Sequence, residues 1–427
     1  MTRSLPILVS LLGAVAAQSV GQAPEVHPKL TTWTCTKADG CKPKTSALVL
    51  DSLAHPVHQK DDPSKGCGNW GSGPDPTVCP DAVTCQENCI VEGVSDYSQY
   101  GVTTDGGVLT MKLLRDDGTV ASPRIYLLDE TETKYEMLQL TGREFTFDVD
   151  VSKLPCGMNG ALYLSEMKAD GGANELNTGG AAYGSGYCDA QCYVTPFING
   201  VANLEKVGAC CPEMDIWEAN RASTQIAPHP CNQTSFYGCS GDECTWDGVC
   251  DQWGCGFNTY VNDVKGFYGP GPEFTVDTTK PFSVVTQFPA DPETGDLVEI
   301  RRIYVQDGKV IPQATVNITG PPEINFINQD YCEKTSATRY NDLGGTKEMG
   351  EALSRGMVLA MSIWWDEGGF MSWLDGGNAG PCNATEGDPK VVLQVEKDPT
   401  VIFSNVKWGE LDSTYQSKPP SCKRRKA

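Results

Sequence analysis

The chain has 427 residues and carries 33 basic and 55 acidic side chains, which gives a formal net charge of −22 at pH 7. This acidic balance argues against nucleic acid or an anionic membrane as a partner and is compatible with a neutral polymer. The length alone allows two or three domains, but all-β folds often run this long as one domain. The sequence contains no internal repeat and no low-complexity linker. We therefore expect a single domain over residues 18–415.

The N-terminus has the pattern of a secretory signal peptide. Arg3 precedes an apolar run over residues 5–17, which ends in Val15-Ala16-Ala17. This run is too short to cross a bilayer, and no later apolar run reaches about 18 residues. We expect residues 1–17 to be removed, so that Gln18 starts a secreted, extracellular protein. The 19 cysteines fit such an oxidising compartment.

Closely spaced cysteines leave two interpretations open, metal binding and disulfide bonding. The groups concerned are Cys79/Cys85/Cys89, Cys188/Cys192 and Cys239/Cys244. The chain has only four histidines, and only His229 lies close in sequence to a cysteine. Behind a signal peptide, disulfides are the favoured interpretation, and we expect no metal and no cofactor. Three N-x-Thr sequons are candidate glycosylation sites, at Asn232, Asn317 and Asn383.

Strand patterns are frequent and helix patterns are scarce. Over residues 145–151, apolar and polar side chains alternate, which predicts a half-buried strand. Weaker patterns predict strands over residues 46–51, 108–114, 124–129, 161–167, 282–288 and 357–366. Residues 299–306 and 309–312 flank Asp307-Gly308, a type I′ hairpin signal. One short helix is predicted over about residues 346–354, and the many strands and turns predict an all-β sandwich.

The most informative stretch is residues 210–220, Cys-Cys-Pro-Glu-Met-Asp-Ile-Trp-Glu-Ala-Asn. On a strand, Glu213 and Asp215 point to one face and the apolar residues between them to the other. Glu218 is an odd number of positions from Glu213, so it joins their face only if a bulge or the strand end absorbs one residue. The two glutamate carboxyl groups can then approach to about 5–5.5 Å, the separation in a retaining glycosidase. A solvated acidic strand is the alternative.

The same stretch resembles the active-site strand of the fungal cellulases of glycoside hydrolase family 7. Four further blocks resemble the family in the family's order: Asp-Tyr-Ser-Gln-Tyr-Gly (96–101), Leu-Pro-Cys-Gly-Met-Asn (154–159), Gly-Tyr-Cys-Asp-Ala-Gln-Cys (186–192) and Pro-His-Pro-Cys (228–231). The resemblance covers about residues 26–415. It implies a concanavalin-like β-jelly-roll sandwich with long disulfide-linked loops and a substrate cleft on the concave sheet. It also implies a retaining glycoside hydrolase.

By this resemblance Glu213 is the nucleophile and Glu218 the acid/base of a two-carboxylate mechanism. Asp215 orients the nucleophile and adds negative charge that helps to keep a proton on a neighbour. His229 matches the family's histidine beside the acid/base, with a structural loop histidine as the alternative. Because Glu213 must be ionised while Glu218 is protonated, we expect activity to peak on the acidic side of neutrality.

The resemblance also implies the sugar-binding residues. Trp364 and Trp373 match platform positions on the nonreducing and leaving-group sides of the scissile bond, where aromatic faces pack on the apolar faces of sugars. Trp365 alternates to the opposite face, and we expect it to pack in the core. Six further residues match groove-lining positions, each with a structural role as the alternative: Asn159, Tyr163, Tyr187, Asp189, Gln191 and Arg124.

The sequence itself cannot give disulfide connectivity. The resemblance implies nine bridges: Cys35–Cys41, Cys67–Cys89, Cys79–Cys85, Cys156–Cys382, Cys188–Cys211, Cys192–Cys210, Cys231–Cys250, Cys239–Cys244 and Cys255–Cys332. Two of them clamp the cysteine pair just before Glu213, which would hold that residue rigidly. Cys422 is left over, in a short basic tail over residues 416–427 that we expect to be disordered.

Two departures from the family's exo-acting members favour an open groove. Five residues separate Cys244 and Cys250, where exo-acting members carry a longer covering loop. Residues 51–56 lack the two tryptophans that those members place at a tunnel entrance. We therefore expect a monomeric endo-β-1,4-glucanase whose partner is a β-1,4-glucan. The alternatives are a cellobiohydrolase of the same family and a noncatalytic lectin on the same fold, and the sequence does not select among cellulose, mixed-linkage glucan, xyloglucan and xylan.

Overall fold

The computed structural model describes residues 19–68, 71–318 and 323–415. The predicted signal peptide, Cys422 and the predicted tail lie outside the described residues. Within the described part, no helix is both long enough and apolar enough to cross a membrane.

Most of the regular structure is β-strand. The strands in chain order are β1 (Ser19–Val20), β2 (Lys29–Thr36), β3 (Gly40–Leu50), β4 (Val57–Gln59), β5 (Cys89–Val91), β6 (Val102–Asp105), β7 (Val108–Lys112), β8 (Arg124–Leu128), β9 (Met137–Leu138), β10 (Arg143–Lys153), β11 (Met158–Ser165), β12 (Phe197–Ile198), β13 (Val201–Ala202), β14 (Gly208–Cys210), β15 (Glu213–Ala219), β16 (Thr224–His229), β17 (Tyr237–Cys239), β18 (Phe257–Asn258), β19 (Tyr268–Gly269), β20 (Val276–Asp277), β21 (Phe282–Gln287), β22 (Ile300–Gln306), β23 (Lys309–Pro312), β24 (Phe326–Ile327), β25 (Met357–Trp365) and β26 (Thr400–Glu410).

Two antiparallel sheets form the sandwich. The sheet that carries the three carboxylates has the order β3–β8–β25–β11–β15–β16–β18. The opposite sheet has the order β6–β7–β26–β10–β21–β22–β23, and β24 also pairs with β22. β2 joins the two sheets, because it pairs antiparallel with β3 and parallel with β26. This is the expected β-jelly-roll sandwich.

Each predicted strand is present, with bounds that differ by a few residues. Asp307 and Gly308 connect β22 to β23 with φ angles of 51° and 74°, as a type I′ turn requires. The alternation pattern does not indicate β26, because the register of β26 against β10 shifts near Asn405, which has a φ of 53°. An irregularity of this kind breaks the two-residue period on which the sequence reading depends.

The described residues contain six α-helices: α1 (Ala82–Asn88), α2 (Gln329–Lys334), α3 (Thr338–Asp342), α4 (Gly345–Arg355), α5 (Ser372–Asp375) and α6 (Pro389–Val395). The predicted helix corresponds to α4. The expectation of a single helix is wrong, because five others are present. Those five have 4–7 residues, which is too short for a 3.6-residue period to stand out.

The main apolar core lies between the two sheets. On β10, Phe145, Phe147 and Val149 face inward and are at most 1% exposed, as the alternation predicts. From the other sheet, Trp217 of β15 meets Phe147 edge to face, with ring centroids 6.0 Å apart. Full burial of such side chains contributes about 1.5–3 kcal/mol each. The apolar side of β15 is thereby fixed, which leaves its acidic side for the outer face of the sheet.

The structure contains nine disulfides, with the pairings that the resemblance implies. The sulfur atoms of Cys79, Cys85 and Cys89 lie within 4.8 Å of one another, a spacing that a metal could use. Each of them is bonded in a disulfide. All cysteines in the described part of the chain are paired, so these groups form covalent cross-links.

A buried carboxylate holds the C-terminal end of the described chain. Glu144 is 0% exposed and accepts backbone N–H groups from Asp412, Ser413 and Thr414 at 2.7, 2.8 and 2.7 Å. Gln287 Nε2 donates a further hydrogen bond to it at 2.8 Å. Backbone N–H donors of this kind can satisfy a buried carboxylate without a cation. Sequence reasoning missed this anchor, because it read the polar positions of β10 as solvent-facing.

Candidate active site

A β-bulge in β15 brings the three carboxylates to one face. On the β11 side, Leu162 faces Trp217 and Leu164 faces Met214, so three steps of β15 match two of β11. On the β16 side, Asp215 pairs with Ala227 and Glu218 with Gln225, which again sets three steps against two. Consequently two consecutive residues of β15, Ile216 and Trp217, both belong to the core. The prediction that a bulge absorbs the extra residue is confirmed.

Glu213 sits at the start of β15 in rigid surroundings. It is 6% exposed, and its Oε2 accepts the backbone N–H of Ala190 at 3.1 Å. The two residues before Pro212 are held by the bridges Cys188–Cys211 and Cys192–Cys210. Burial raises the pKa of Glu213 well above its ordinary value, and the negative charges of Asp215 and Asp189 raise it further. The geometry therefore fixes Glu213 but disfavours its charge.

Asp215 and His229 form a contact pair beside Glu213. His229 Nε2 lies 3.0 Å from Asp215 Oδ2, and His229 Nδ1 donates to the backbone carbonyl of Asp251 at 2.8 Å. The hydrogen bond to Asp251 fixes the ring so that Nε2 faces Asp215. Burial, followed by the charge of Asp189, raises the pKa of Asp215 to about 8, while a hydrogen bond with Glu213 opposes that rise.

Glu218 lies at the other end of β15 and is half-buried. Asn159 on β11 donates from Nδ2 to Glu218 Oε1 at 3.0 Å, and its Oδ1 accepts the backbone N–H of Ala219 at 3.1 Å. One amide thus holds both the side chain and the strand that carries it. Burial, and then the charge of Asp215, raises the pKa of Glu218 to about 8. Both effects favour the protonated form of this carboxyl group.

Two tryptophans form an aromatic surface near Asn159. Trp364 pairs with Asn159 across β25 and β11, and its ring lies 6.2 Å from that of Trp373 with 27° between the planes. Trp373, in α5, is 39% exposed. Trp365 packs against the core, on the opposite face from Trp364, as expected. The resemblance implies two separate platforms, whereas in the structure the two rings are adjacent.

The remaining predicted groove residues fall into two groups. Around Arg124, the guanidinium carbon lies 3.4 Å from the centre of the Tyr187 ring, and the hydroxyl groups of Tyr187 and Tyr163 are 3.0 Å apart. Next to Glu213, Asp189 is 6% exposed, and its Oδ1 accepts the N–H of Gln191 at 3.0 Å. Gln191 itself is half-exposed. The structure thus places all five on the side of the sheet that bears the carboxylates, with Asp189 closest to the proposed chemistry.

The family model named Glycosyl hydrolase family 7 matches residues 20–415. The chain belongs to this family. It is 56% identical over 416 residues to Endoglucanase EG-1 of Humicola insolens, covering 97% of this chain and 95% of that protein. The native structure of the Humicola insolens endocellulase EGI matches with a TM-score of 0.91 at 57% identity, over 93% of this chain and 100% of that chain. An endoglucanase I complexed with cellobiose matches with a TM-score of 0.90 at 55% identity, over the same shares.

Sequence reasoning missed one aromatic surface of this family 7 chain. Trp246 and Trp253 are 51% and 68% exposed, and their rings stack with centroids 4.2 Å apart. The backbone around Trp253 runs beside β16, since Asp251 N donates to Pro230 O at 2.9 Å. The two tryptophans therefore lie on the far side of β16 from β15 and β25. Two tryptophans flanking a disulfide-bonded cysteine were the available signal.

Proposed function

We propose that the chain is a secreted endo-β-1,4-glucanase that cleaves internal bonds of cellulose and related β-glucans with retention of configuration. The observation that carries the proposal is the bulge in β15, which gathers Glu213, Asp215 and Glu218 on one face of the sheet. A retaining glycosidase needs one ionised carboxylate as the nucleophile and one protonated carboxyl group as the acid. The relatives named as endoglucanases support the endo mode.

In this proposal Glu213 attacks the anomeric carbon while Glu218 protonates the departing glycosidic oxygen. A covalent glycosyl-enzyme forms, and Glu218, now ionised, takes a proton from the water that hydrolyses it. A pKa of about 8 keeps Glu218 protonated for the first step at neutral pH. After that step Asn159 donates to the ionised form, which it stabilises through the 3.0 Å hydrogen bond.

Asp215 and His229 govern the charge on the nucleophile. Burial raises the pKa of both Glu213 and Asp215, which favours retention of a proton by this hydrogen-bonded pair. Nucleophilic attack requires that this proton lie on Asp215 and that the negative charge lie on Glu213, where the Ala190 N–H stabilises it. His229, fixed by Asp251, orients Asp215 for this task. Asp215 is therefore the orienting residue and His229 its support.

The open groove is supported by the short loops that flank the carboxylates. Cys239–Cys244 and Cys231–Cys250 fold the chain between β17 and β18 into a compact turn that leaves Trp246 and Trp253 exposed. We infer that Trp364 with Trp373 binds sugar rings on one side of Glu218 and that Trp246 with Trp253 does so beyond β16. Exposed aromatic faces on both sides fit a long polymer bound along its length.

We also propose secretion and N-glycosylation, with a monomer as the working state. Nine disulfides fit an oxidising compartment. The sequon residues Asn232, Asn317 and Asn383 are exposed, as attachment of a glycan requires. Mass spectrometry of the secreted protein, before and after enzymatic deglycosylation, tests both points together. An N-terminus that retains residues 1–17 would contradict the signal peptide.

The catalytic assignment is tested with two variants on two substrates. Glu213→Gln and Glu218→Gln should each nearly abolish hydrolysis of unactivated glucan while the fold survives. On an aryl cellobioside whose phenol leaves without a proton, Glu218→Gln should still form the glycosyl-enzyme, and azide should accelerate its breakdown. Glu213→Gln should show no such intermediate. Proton NMR of early wild-type products should show the β anomer first, and an α anomer would contradict Glu213 as the nucleophile.

The endo mode is tested by viscosity. Carboxymethylcellulose should lose viscosity rapidly while few reducing ends form. Cellobiose as nearly the sole product at constant viscosity would favour the cellobiohydrolase alternative. Binding of glucan without any cleavage would favour the lectin, which both glutamates argue against.

A further inference from the structure

The bulge in β15 is contacted from inside the sandwich by an arginine of the opposite sheet. On β22, the inward-facing positions Ile300, Arg302, Tyr304 and Gln306 are all buried. Arg302 Nη2 donates a hydrogen bond to the backbone carbonyl of Ile216. Ile216 lies in the short interval where β15 loses register with both β11 and β16. Arg302 therefore reaches across the core to the irregular point of the catalytic strand.

The surroundings of Arg302 are unusual for a buried cation. The side chain is 4% exposed, and its guanidinium carbon lies 5.6 Å from the centre of the Trp217 ring and 5.9 Å from that of Tyr304. Among the described residues no carboxylate pairs with it, and its Nε has no hydrogen-bond partner. Burying a cation without a counter-charge is unfavourable, and aromatic faces offset that only in part.

The bulge supplies a reason for the arginine. A bulge removes regular ladder partners from its backbone groups, and a buried carbonyl then needs another donor. The Ile216 carbonyl lies between Asp215 and Glu218, so its orientation sets the direction in which Glu218 leaves the strand. We propose that Arg302 is a positioning residue for the acid/base: it holds the bulge and thereby fixes the Glu218 carboxyl group relative to Glu213. This inference rests on the proposed role of Glu218.

A purely structural arginine and a positioning arginine predict different kinetics. Loss of core stability lowers the folded fraction of the enzyme and therefore reduces the rates on all substrates by the same factor. Misplacement of the general acid affects only the step that needs a proton, because an activated phenol departs without one. The dependence of the loss on the leaving group is therefore the readout that separates the two roles.

The test compares Arg302→Met with Arg301→Met on both kinds of substrate. Arg301 is the matched control, because it is the adjacent residue of β22 but is exposed and pairs with Glu299. Arg302→Met should lower kcat on unactivated β-glucan by about 10- to 100-fold, the size expected from a misplacement of about 1 Å. Its rate of glycosyl-enzyme formation from the aryl cellobioside should change by less than about threefold, with a similar KM. Arg301→Met should leave both rates unchanged.

Glu218→Gln, measured in parallel, separates this inference from the proposed function. If Glu218→Gln lacks the leaving-group dependence, the acid role of Glu218 fails. If Glu218→Gln shows the leaving-group dependence, the acid role of Glu218 stands. If Arg302→Met then loses activity equally on both substrates, or loses no activity, only the positioning role is overturned. Circular dichroism and thiol titration check the fold. If Arg302→Met is recovered unfolded, Arg302→Lys takes its place. We expect Arg302→Lys to show a smaller loss of activity with the same dependence on the leaving group, and the absence of that dependence overturns the proposal.

Discussion

Replacing Asn159 by leucine should move the basic limb of the pH–activity profile upward. Glu218 must carry its proton to act as the acid, so activity is lost as the pH rises through its pKa, which is about 8. The Asn159 Nδ2–H donates to Glu218 Oε1 at 3.0 Å, and this hydrogen bond favours the ionised form and lowers the pKa. Its removal raises the pKa, so that Glu218 stays protonated to higher pH.

The magnitude follows from the type of hydrogen bond that Asn159 forms. A hydrogen bond to a charged group contributes about 1.5–3 kcal/mol. The protonated carboxyl group retains part of this hydrogen-bond energy. Since one pKa unit corresponds to about 1.36 kcal/mol, the remainder should move the basic limb up by about one pH unit. The same substitution leaves the buried Ala219 N–H without the acceptor it has at 3.1 Å. We therefore also expect a loss of about 1–3 kcal/mol in the free energy of unfolding.

The assay is kcat/KM on a soluble β-glucan as a function of pH, which reports the free enzyme. The matched control is Tyr163→Phe, on the same strand and face, which loses its 3.0 Å hydrogen bond to Tyr187 without touching Glu218. The acidic limb should stay in place for Asn159→Leu, because that limb follows Glu213, whose pKa is raised by burial and by Asp215 and Asp189. A basic limb that stays put or moves down would refute the reasoning.

Four further predictions concern binding, covalent structure and stability. Trp373→Ala should weaken glucan binding by about 1–3 kcal/mol, and an unchanged Michaelis constant would contradict a sugar-binding role for Trp373. Trp253→Ala should raise the Michaelis constant more for long oligosaccharides than for short ones; equal changes contradict a sugar-binding role. Thiol titration of the denatured mature protein should find at most one free thiol, that of Cys422, and four or more would contradict the disulfides. Glu144→Gln should lower the free energy of unfolding by about 1–3 kcal/mol, because donors such as Asp412 N–H then face an amide NH₂; unchanged denaturant unfolding would contradict the anchor.

Local patterns predict much of this fold because most strands keep a two-residue period. The alternation over residues 145–151 gives β10 and its buried face, and Asp307-Gly308 gives the hairpin between β22 and β23. The same period fails at β26, where the bulge near Asn405 interrupts it. It also fails for Glu144, because a polar side chain on the outer face of a sheet reads as solvent-exposed unless a distant segment covers it. Coverage of that kind is decided by tertiary structure.

The candidate site, like the fold, could be predicted from the sequence only in part. The odd spacing of Glu213 and Glu218 means that they share a face only if a bulge or the strand end absorbs one residue, and β15 has a bulge. What the sequence does not indicate is which groups hold the bulge and the carboxyls. Ala190 and Glu213 are 23 positions apart, Asn159 and Glu218 are 59 apart, and Arg302 and Ile216 are 86 apart. Contacts at such separations leave no periodic signal.

The site combines features that each oppose stability. Burial raises the pKa of Glu213, Asp215, Glu218 and Asp189, so ionising any of them is less favourable in the folded protein than in the unfolded chain. The contribution of these groups to the free energy of unfolding is therefore largest below the pKa that they have in the unfolded chain. It decreases as the pH rises through the pKa that they have in the folded protein. The buried side chain of Arg302, which contacts β15 from the core side, makes a second unfavourable contribution to the free energy of folding. These costs are tolerable only where the surrounding backbone cannot relax, and two disulfides immediately before Glu213 meet that condition. The rigidity that the bridges provide therefore helps to hold Glu213 beside Asp215 and Asp189, whose negative charges raise its pKa.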